Sequence, residues 1–186
     1  MRLFEISPDG SRVVYTADQE TDNVIELYST PTDASAMPVK LNLPLAFGVD
    51  VDAPRISPDG TRVVFRAGAL HSVPIDASSP SVLLHLPPGP FTYTSGVPDF
   101  QFSRDGASVF FLASLVAFPI TNNWLVLAPI DGSAPTQVVV EPPSIRFNDG
   151  VVAFEPTPDG ARVVHSADLD SPGVHELYLT ALPALR

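Results

Sequence analysis

The side chains in this sequence that could move a proton or hold a cation are few, and several recur at fixed places. Asp9, Asp59, Asp105 and Asp159 each precede a glycine, in Ser7-Pro8-Asp9-Gly10, Ser57-Pro58-Asp59-Gly60, Ser103-Arg104-Asp105-Gly106 and Thr157-Pro158-Asp159-Gly160. Carboxylates brought to one point could serve acid–base chemistry or a hard cation. Their neighbours argue for another task. Ser or Thr, then Pro, Asp and Gly is the residue order of a β-turn, in which the Asp bonds to nearby backbone and the Gly accepts positive φ. Four separate turns need not converge, so these aspartates read as turn caps.

The histidines are His71, His85, His165 and His175, and none stands in a His-x-x-x-His or His-x-Glu pattern with metal-ligand spacing. Aligning the repeated segments puts His165 where Tyr15, Phe65 and Phe111 stand, and His71 where Tyr28 and Tyr178 stand. Both therefore read as packing residues at aromatic positions. His85 falls in an outer strand and His175 in a loop beside Glu176. With no cysteine, the chain has no thiol nucleophile, thiolate metal site or disulfide. It contains neither a Gly-x-Ser-x-Gly elbow nor a Gly-rich phosphate loop. The expectation is a protein that is not an enzyme, with no cofactor and no resident metal.

The net charge is −11, and arginine outnumbers lysine nine to one. An acidic chain without a basic stripe is a poor partner for nucleic acid or for an anionic membrane. The charge collects in predicted loops. In an antiparallel four-strand unit, the connection from second to third strand and the link to the next unit leave on the same side. That side would carry Asp18, Glu20, Asp22, Asp50, Asp52, Asp149, Asp168 and Asp170. These residues are either solubilising charge or an acidic docking face for a basic protein partner. Asp18-Gln19-Glu20-Thr21-Asp22-Asn23 also offers the oxygens of a weak Ca²⁺ site, but lacks the Gly and terminal Glu of an EF-hand loop. On the same side lie Phe91 and Tyr93 in Pro87-Pro88-Gly89-Pro90-Phe91-Thr92-Tyr93, and Phe118 in Leu115-Val116-Ala117-Phe118-Pro119. Aromatics on Pro-stiffened loops suit partner binding or a lid over the core.

The elements that must hold these residues follow from repetition. Gly10, Gly60, Gly106 and Gly160 are 50, 46 and 54 residues apart, a period typical of repeat arrays. After each turn come Val-Val-Tyr, Val-Val-Phe, Val-Phe-Phe or Val-Val-His, β-branched and aromatic runs that favour strands. A second bend, Pro31-Thr32-Asp33-Ala34-Ser35, returns as Pro74-Ile75-Asp76-Ala77-Ser78 and Pro129-Ile130-Asp131-Gly132-Ser133. Gly48-Val49, Gly96-Val97 and Gly150-Val151 lead into the later units. The pattern predicts strands near 3–6, 12–16, 24–30, 38–43, 53–56, 62–67, 70–75, 81–86, 99–102, 108–113, 124–128, 136–140, 152–154, 162–166 and 176–180. Repeats then run over 1–43, 44–86, 87–140 and 141–186. Hydrophobic residues make up 45% and the mean hydropathy is +0.19, which fits a packed chain. No run approaches the roughly 20 apolar residues of a spanning helix. The expected fold is all-β: a β-propeller segment of four blade-like repeats of four antiparallel strands, the last incomplete.

The pattern Ser-Pro-Asp-Gly-x-Arg-Val-Val-Tyr, with Glu26-Leu27-Tyr28 repeated as Glu176-Leu177-Tyr178, resembles the PD40 (WD40-like) repeats of TolB-type β-propellers over nearly the whole chain. Propellers of that family serve mostly as protein-interaction platforms or as accessory domains beside peptidases. The resemblance thus implies a non-enzymatic interaction scaffold with a protein partner. The alternative is an accessory, substrate-gating propeller of a larger serine hydrolase. It also implies a periplasmic or extracellular setting if the full-length chain carries a signal peptide. The chain departs from the family pattern at its ends: the Gly-Val lead-in before the first unit and the fourth strand of the last are missing. It reads as a partial propeller or half of a larger ring. Val13, Val14 and Tyr15, and Val163, Val164 and His165, lie in end blades whose outer faces need cover, from a longer chain or from self-association.

Overall fold

The computed structural model describes residues 3–84, 99–117, 120–141, 150–171 and 173–183. Every helix or strand among them is a β-strand, and the strands form four antiparallel sheets. The first sheet is β1 (Phe4–Ile6), β2 (Arg12–Ala17), β3 (Glu26–Pro31) and β4 (Val39–Lys40), in that order. The second is β5 (Asp52–Ile56), β6 (Arg62–Arg66), β7 (Leu70–Pro74) and β8 (Val82–Leu83). The third is β9 (Phe100–Phe102), β10 (Ser108–Ala117), β11 (Ile120–Pro129) and β12 (Gln137–Val140). The fourth has three strands, β13 (Val151–Pro156), β14 (Arg162–Ala167) and β15 (Glu176–Ala181). In each sheet, neighbours in sequence are neighbours in space, the arrangement that short turns permit.

The repeated turn makes the same hydrogen bonds four times. The glycine amide donates to the carbonyl three residues back, at 2.8 Å for Gly10, Gly60 and Gly160 and 2.9 Å for Gly106. Each of these glycines has a φ near +70°, which residues with a Cβ adopt at a cost. The hydroxyl that opens the turn donates to the aspartate, Ser57 Oγ to Asp59 Oδ1 at 2.6 Å. The same oxygen accepts the amide of the first residue of the next strand, Arg62 N at 3.0 Å. Ser7, Ser103 and Thr157 repeat both bonds. The second bend is closed by Asp33 and Asp76, which accept the amides of Ser35 and Ser78. Its positive-φ position holds Gly132 in one repeat but Ala34 and Ala77 in two others.

With the turn fixed, the register is fixed, and equivalent residues meet across equivalent strands. Tyr15 faces Tyr28, Phe65 faces His71 and His165 faces Tyr178. These pairs stack with ring centroids 5.6, 5.4 and 5.4 Å apart. In the third sheet Phe111 faces Val126 instead.

The chain divides into two compact units, Met1–Leu84 with Ile130–Gly132, and His85–Pro129 with Ser133–Arg186. The core of the first holds Val14, Leu27, Ile56, Val63, Phe65 and Val73. That of the second holds Phe110, Leu125, Leu127, Phe154 and Val163. Each such side chain stabilises the fold by about 1.5–3 kcal/mol when fully buried. Two expectations need correction. Leu115, Val116 and Ala117 belong to β10, not to a loop, because Ala117 pairs with Ile120 and the hairpin is ten residues long on each side. The apolar run from Val109 meets no turn-forming residue before Phe118-Pro119, so the ladder continues to that point. The fourth strands β4 and β8 are only two residues long, shorter than 38–43 and 81–86.

Ser57 is buried and serves both turn bonds, so Ser57→Ala should cost about 1–2 kcal/mol in urea unfolding. Ala77→Gly should instead gain about 0.5–1 kcal/mol by relieving a left-handed alanine. A neutral result for both would show that the turn does not govern the hairpin.

Candidate functional site

The four turn aspartates are committed to their own turns. Asp9 accepts Ser7 Oγ, Ser11 N and Ser11 Oγ, and these bonds hold its carboxyl down from the ordinary 3.8 to about 2. The bond from the opening hydroxyl leads the same downward shift at Asp105 and Asp159. At Asp59, desolvation opposes the hydroxyl and amide bonds, and the bonds prevail. A carboxylate saturated with donors is a poor general base, since its lone pairs are occupied. Among the described residues, no group of three or more His, Asp or Glu side chains converges as a metal site would require.

The histidines His71 and His165 are packed rings. His165 is buried between Phe154 and Tyr178 in the register, and its Nε2 lies 2.9 Å from Thr180 Oγ1. Its Nδ1 is buried without a hydrogen-bond partner among the described residues. Desolvation lowers the proton affinity of both rings below the ordinary 6.5. His71 lines a cavity of about 100 Å³ with Asn42, Phe65, Ala67 and Ser81, enough space for water. The Ser81 hydroxyl is buried there without a protein partner among the described residues. His175 lies in an exposed loop, and His85 falls outside the described residues.

The acidic loop residues divide into those used internally and those presented outward. Asp50 accepts the Ile25 amide at 2.9 Å, so the link into the second sheet is tied to the β2–β3 loop. Asp52 pairs with Arg66 at 2.5 Å, and Glu20 with Lys40 at 2.6 Å. Lys40 also reaches Glu26, which accepts the Tyr28 hydroxyl. Asp22 is exposed, and Asp18 is half-buried. In the second unit Asp168 is buried and accepts the amides of Gly150 and Gly173 at 2.7 and 3.1 Å. It therefore braces its loop and offers no surface. Asp170 accepts the Tyr178 hydroxyl at 3.1 Å and is exposed. Desolvation and the bonds to Glu176 and Asp170 push the Tyr178 hydroxyl up to about 12. Phe91, Tyr93, Phe118 and Asp149 lie outside the described residues.

Comparison with solved structures completes the picture. A puromycin-hydrolysing peptidase of Mycobacterium tuberculosis matches with a TM-score of 0.55 at 15% identity, over 97% of this chain and 29% of that one. A puromycin hydrolase matches with a TM-score of 0.55 at 17% identity, over 96% and 27%. TolB from Acinetobacter baumannii matches at 15% identity with a TM-score of 0.47, over 96% and 42%. The matched peptidases contain β-propeller domains. The fold is a β-propeller fold. The four sheets are its blades, and the chain spans less than a third of the length of the two peptidases. At these identities the likeness concerns fold alone. No family model and no curated protein matches the sequence.

Two features of the blades escaped the sequence. One is the anchoring of the repeat arginines Arg12 and Arg62 inside the blade. Their Nε atoms donate to Ser29 Oγ and Ser72 Oγ, at 2.8 and 2.9 Å. Ser29 and Ser72 face Val14 and Val64 across the ladder, whereas Leu179 holds that place in the fourth blade. The signal was present as Arg-x-Val paired with a third-strand Ser. In addition, the repeated Glu-Leu-Tyr lets each tyrosine hydroxyl reach the glutamate two residues earlier.

His165 supplies a pH test. A buried ring with lowered proton affinity gives the unfolded state the greater proton uptake, so stability falls as pH drops below the ordinary 6.5. His165→Phe keeps the stack on Tyr178 and should change stability by no more than about 1 kcal/mol at pH 7.5. Its advantage over the parent should widen steadily towards pH 5. Parallel stability curves for the two proteins would contradict the buried neutral histidine.

Proposed function

We propose that this chain is a non-enzymatic interaction scaffold of the propeller type. The observation that carries the reading is the commitment of its repeated polar groups to structure. The turn aspartates hold turns, His71 and His165 stack on aromatic partners, and two of the repeat arginines bond to strand serines. What remains for a partner is the loop surface. On the first unit Asp22 is presented outward, and Glu20, Asp50 and Asp52 stay exposed while each also makes an internal bond, beside the half-buried Asp18; on the second unit Asp170 is exposed. By their place in the repeat, Phe91, Tyr93, Phe118 and Asp149 are proposed as loop residues of the second unit that a partner would meet. A basic protein segment is the partner such a surface would steer.

A second reading has its own support. Two of the structural relatives are peptidases, more than three times as long as the part this chain matches. An accessory blade set that gates substrate for a serine hydrolase would have the same local structure. The reading frame on either side of these residues separates the two, since a downstream serine-hydrolase signature favours the accessory role.

The scaffold reading has a kinetic test. Ester, amide and peptide substrates should give no saturable turnover with this chain. Association with a crosslink-recovered partner should slow about tenfold or more between low and high salt. Asp22→Asn combined with Glu20→Gln should reproduce part of that loss at low salt. Saturable turnover by the chain alone, or binding insensitive to both salt and substitution, would overturn the proposal.

A further inference from the structure

Inside each unit, one blade packs on the next by the same rule. In the first unit Val14 and Leu27 of blade one share a core with Ile56 and Phe65 of blade two. In the second, Phe110 and Leu127 of blade three share a core with Phe154 and Val163 of blade four. Each time, the earlier blade contributes the face that holds Val14 or Phe110. The later blade contributes the face that holds the stacked pair, Phe65 on His71 or His165 on Tyr178. A polar bond accompanies the contact at one repeat position. Glu5, opposite Val14, accepts the Ile56 amide at 2.9 Å. Gln101, opposite Phe110, donates to the Phe154 carbonyl at 2.8 Å.

Two faces of this kind are uncovered. Leu177 faces Ser166 as Leu27 faces Thr16, yet Leu177 is 76% exposed and Leu27 0%. Leu179 and Val152 are exposed with it. On blade one, Ile6 is 55% exposed where its counterpart Ile56 is 6%. Phe4, opposite Tyr15, is 75% exposed where Phe154, opposite His165, is 8%. The open face of blade four is of the earlier type and that of blade one is of the later type. Glu155, opposite Val164, holds the position that Glu5 and Gln101 use to reach the following blade.

We infer that the β13–β15 face docks onto the β1–β2 face of a second copy of this chain, head to tail. Leu177 and Leu179 cover Phe4 and Ile6, and Glu155 accepts the Ile6 amide. A second copy is the occupant because both halves of the contact belong to one polypeptide, and that contact is already made twice within it. Unlike faces meet, so the association is heterologous, and it gives a closed pair or a longer row according to whether the rotation closes.

The pattern of complementation between variants tests this. The full 186-residue chain should associate in sedimentation velocity as its concentration rises through the micromolar range. Phe4→Asp and Leu179→Asp should each remain monomeric, with unchanged near-ultraviolet circular dichroism. Mixed in equal amounts, they should form a one-to-one dimer, because one retains a sound blade-four face and the other a sound blade-one face. Ile6→Lys and Leu177→Lys form a second pair with the same expected behaviour. Glu155→Ala should weaken parental association about tenfold, the loss of one charge-assisted hydrogen bond. A parent that stays monomeric throughout, variants that still associate singly, or a folded mixture that stays monomeric would each overturn the inference.

Discussion

The hydroxyl that opens each turn is pulled in two directions at once. Ser57 gives its hydrogen to Asp59 and offers its oxygen to the Arg62 amide, so one atom joins the turn's carboxylate to the strand that follows. The constraint is local, but its consequences reach across the sheet. A strand that slipped by one residue would turn every side chain to the opposite face. Held in place, the hairpin sets Ile56 against Val63 and delivers Phe65 to His71, and both Ile56 and Phe65 then enter the core shared by blades one and two. Packing, stacking and blade contact all inherit a register set by a few short hydrogen bonds.

Local chemistry was legible in the sequence because it is written locally. Ser-Pro-Asp-Gly announced its own geometry, and aligning the copies put Tyr15, Phe65 and His165 at one packing position and Tyr28, His71 and Tyr178 at another; that the two positions stack across the hairpin came only with the fold. What stayed hidden depended on residues distant in the chain. Arg12 finds Ser29 seventeen residues away, and Asp168 is buried because Gly150 returns to it. The length of the β10–β11 hairpin was concealed differently, since an apolar run with no turn former looks the same as strand or as exposed loop. Ala34 and Ala77 were invisible as left-handed residues because alanine seldom occupies that region.

The same contrast applies to function. In this fold the turn aspartates and serines and the repeat arginines Arg12 and Arg62 recur because they build turns and blades, with their hydrogen bonds made inside single repeats. Surface loops carry the variable charge. The likeness to peptidase propellers describes a shared scaffold, on which quite different activities can sit. Asp22 and Asp170 lie in exposed loops outside the repeated motif.

Four equivalent turns set the register of the blades, and amide hydrogen exchange reports on them directly. The amides of Gly10, Gly60, Gly106 and Gly160, and those of Arg12, Arg62, Ser108 and Arg162, are donors in the turn clasp. All eight should exchange far more slowly than the unstructured chain, with matching protection at equivalent positions. Exchange of these amides at unprotected rates, while the central strands remain protected, would contradict a register set by the turns.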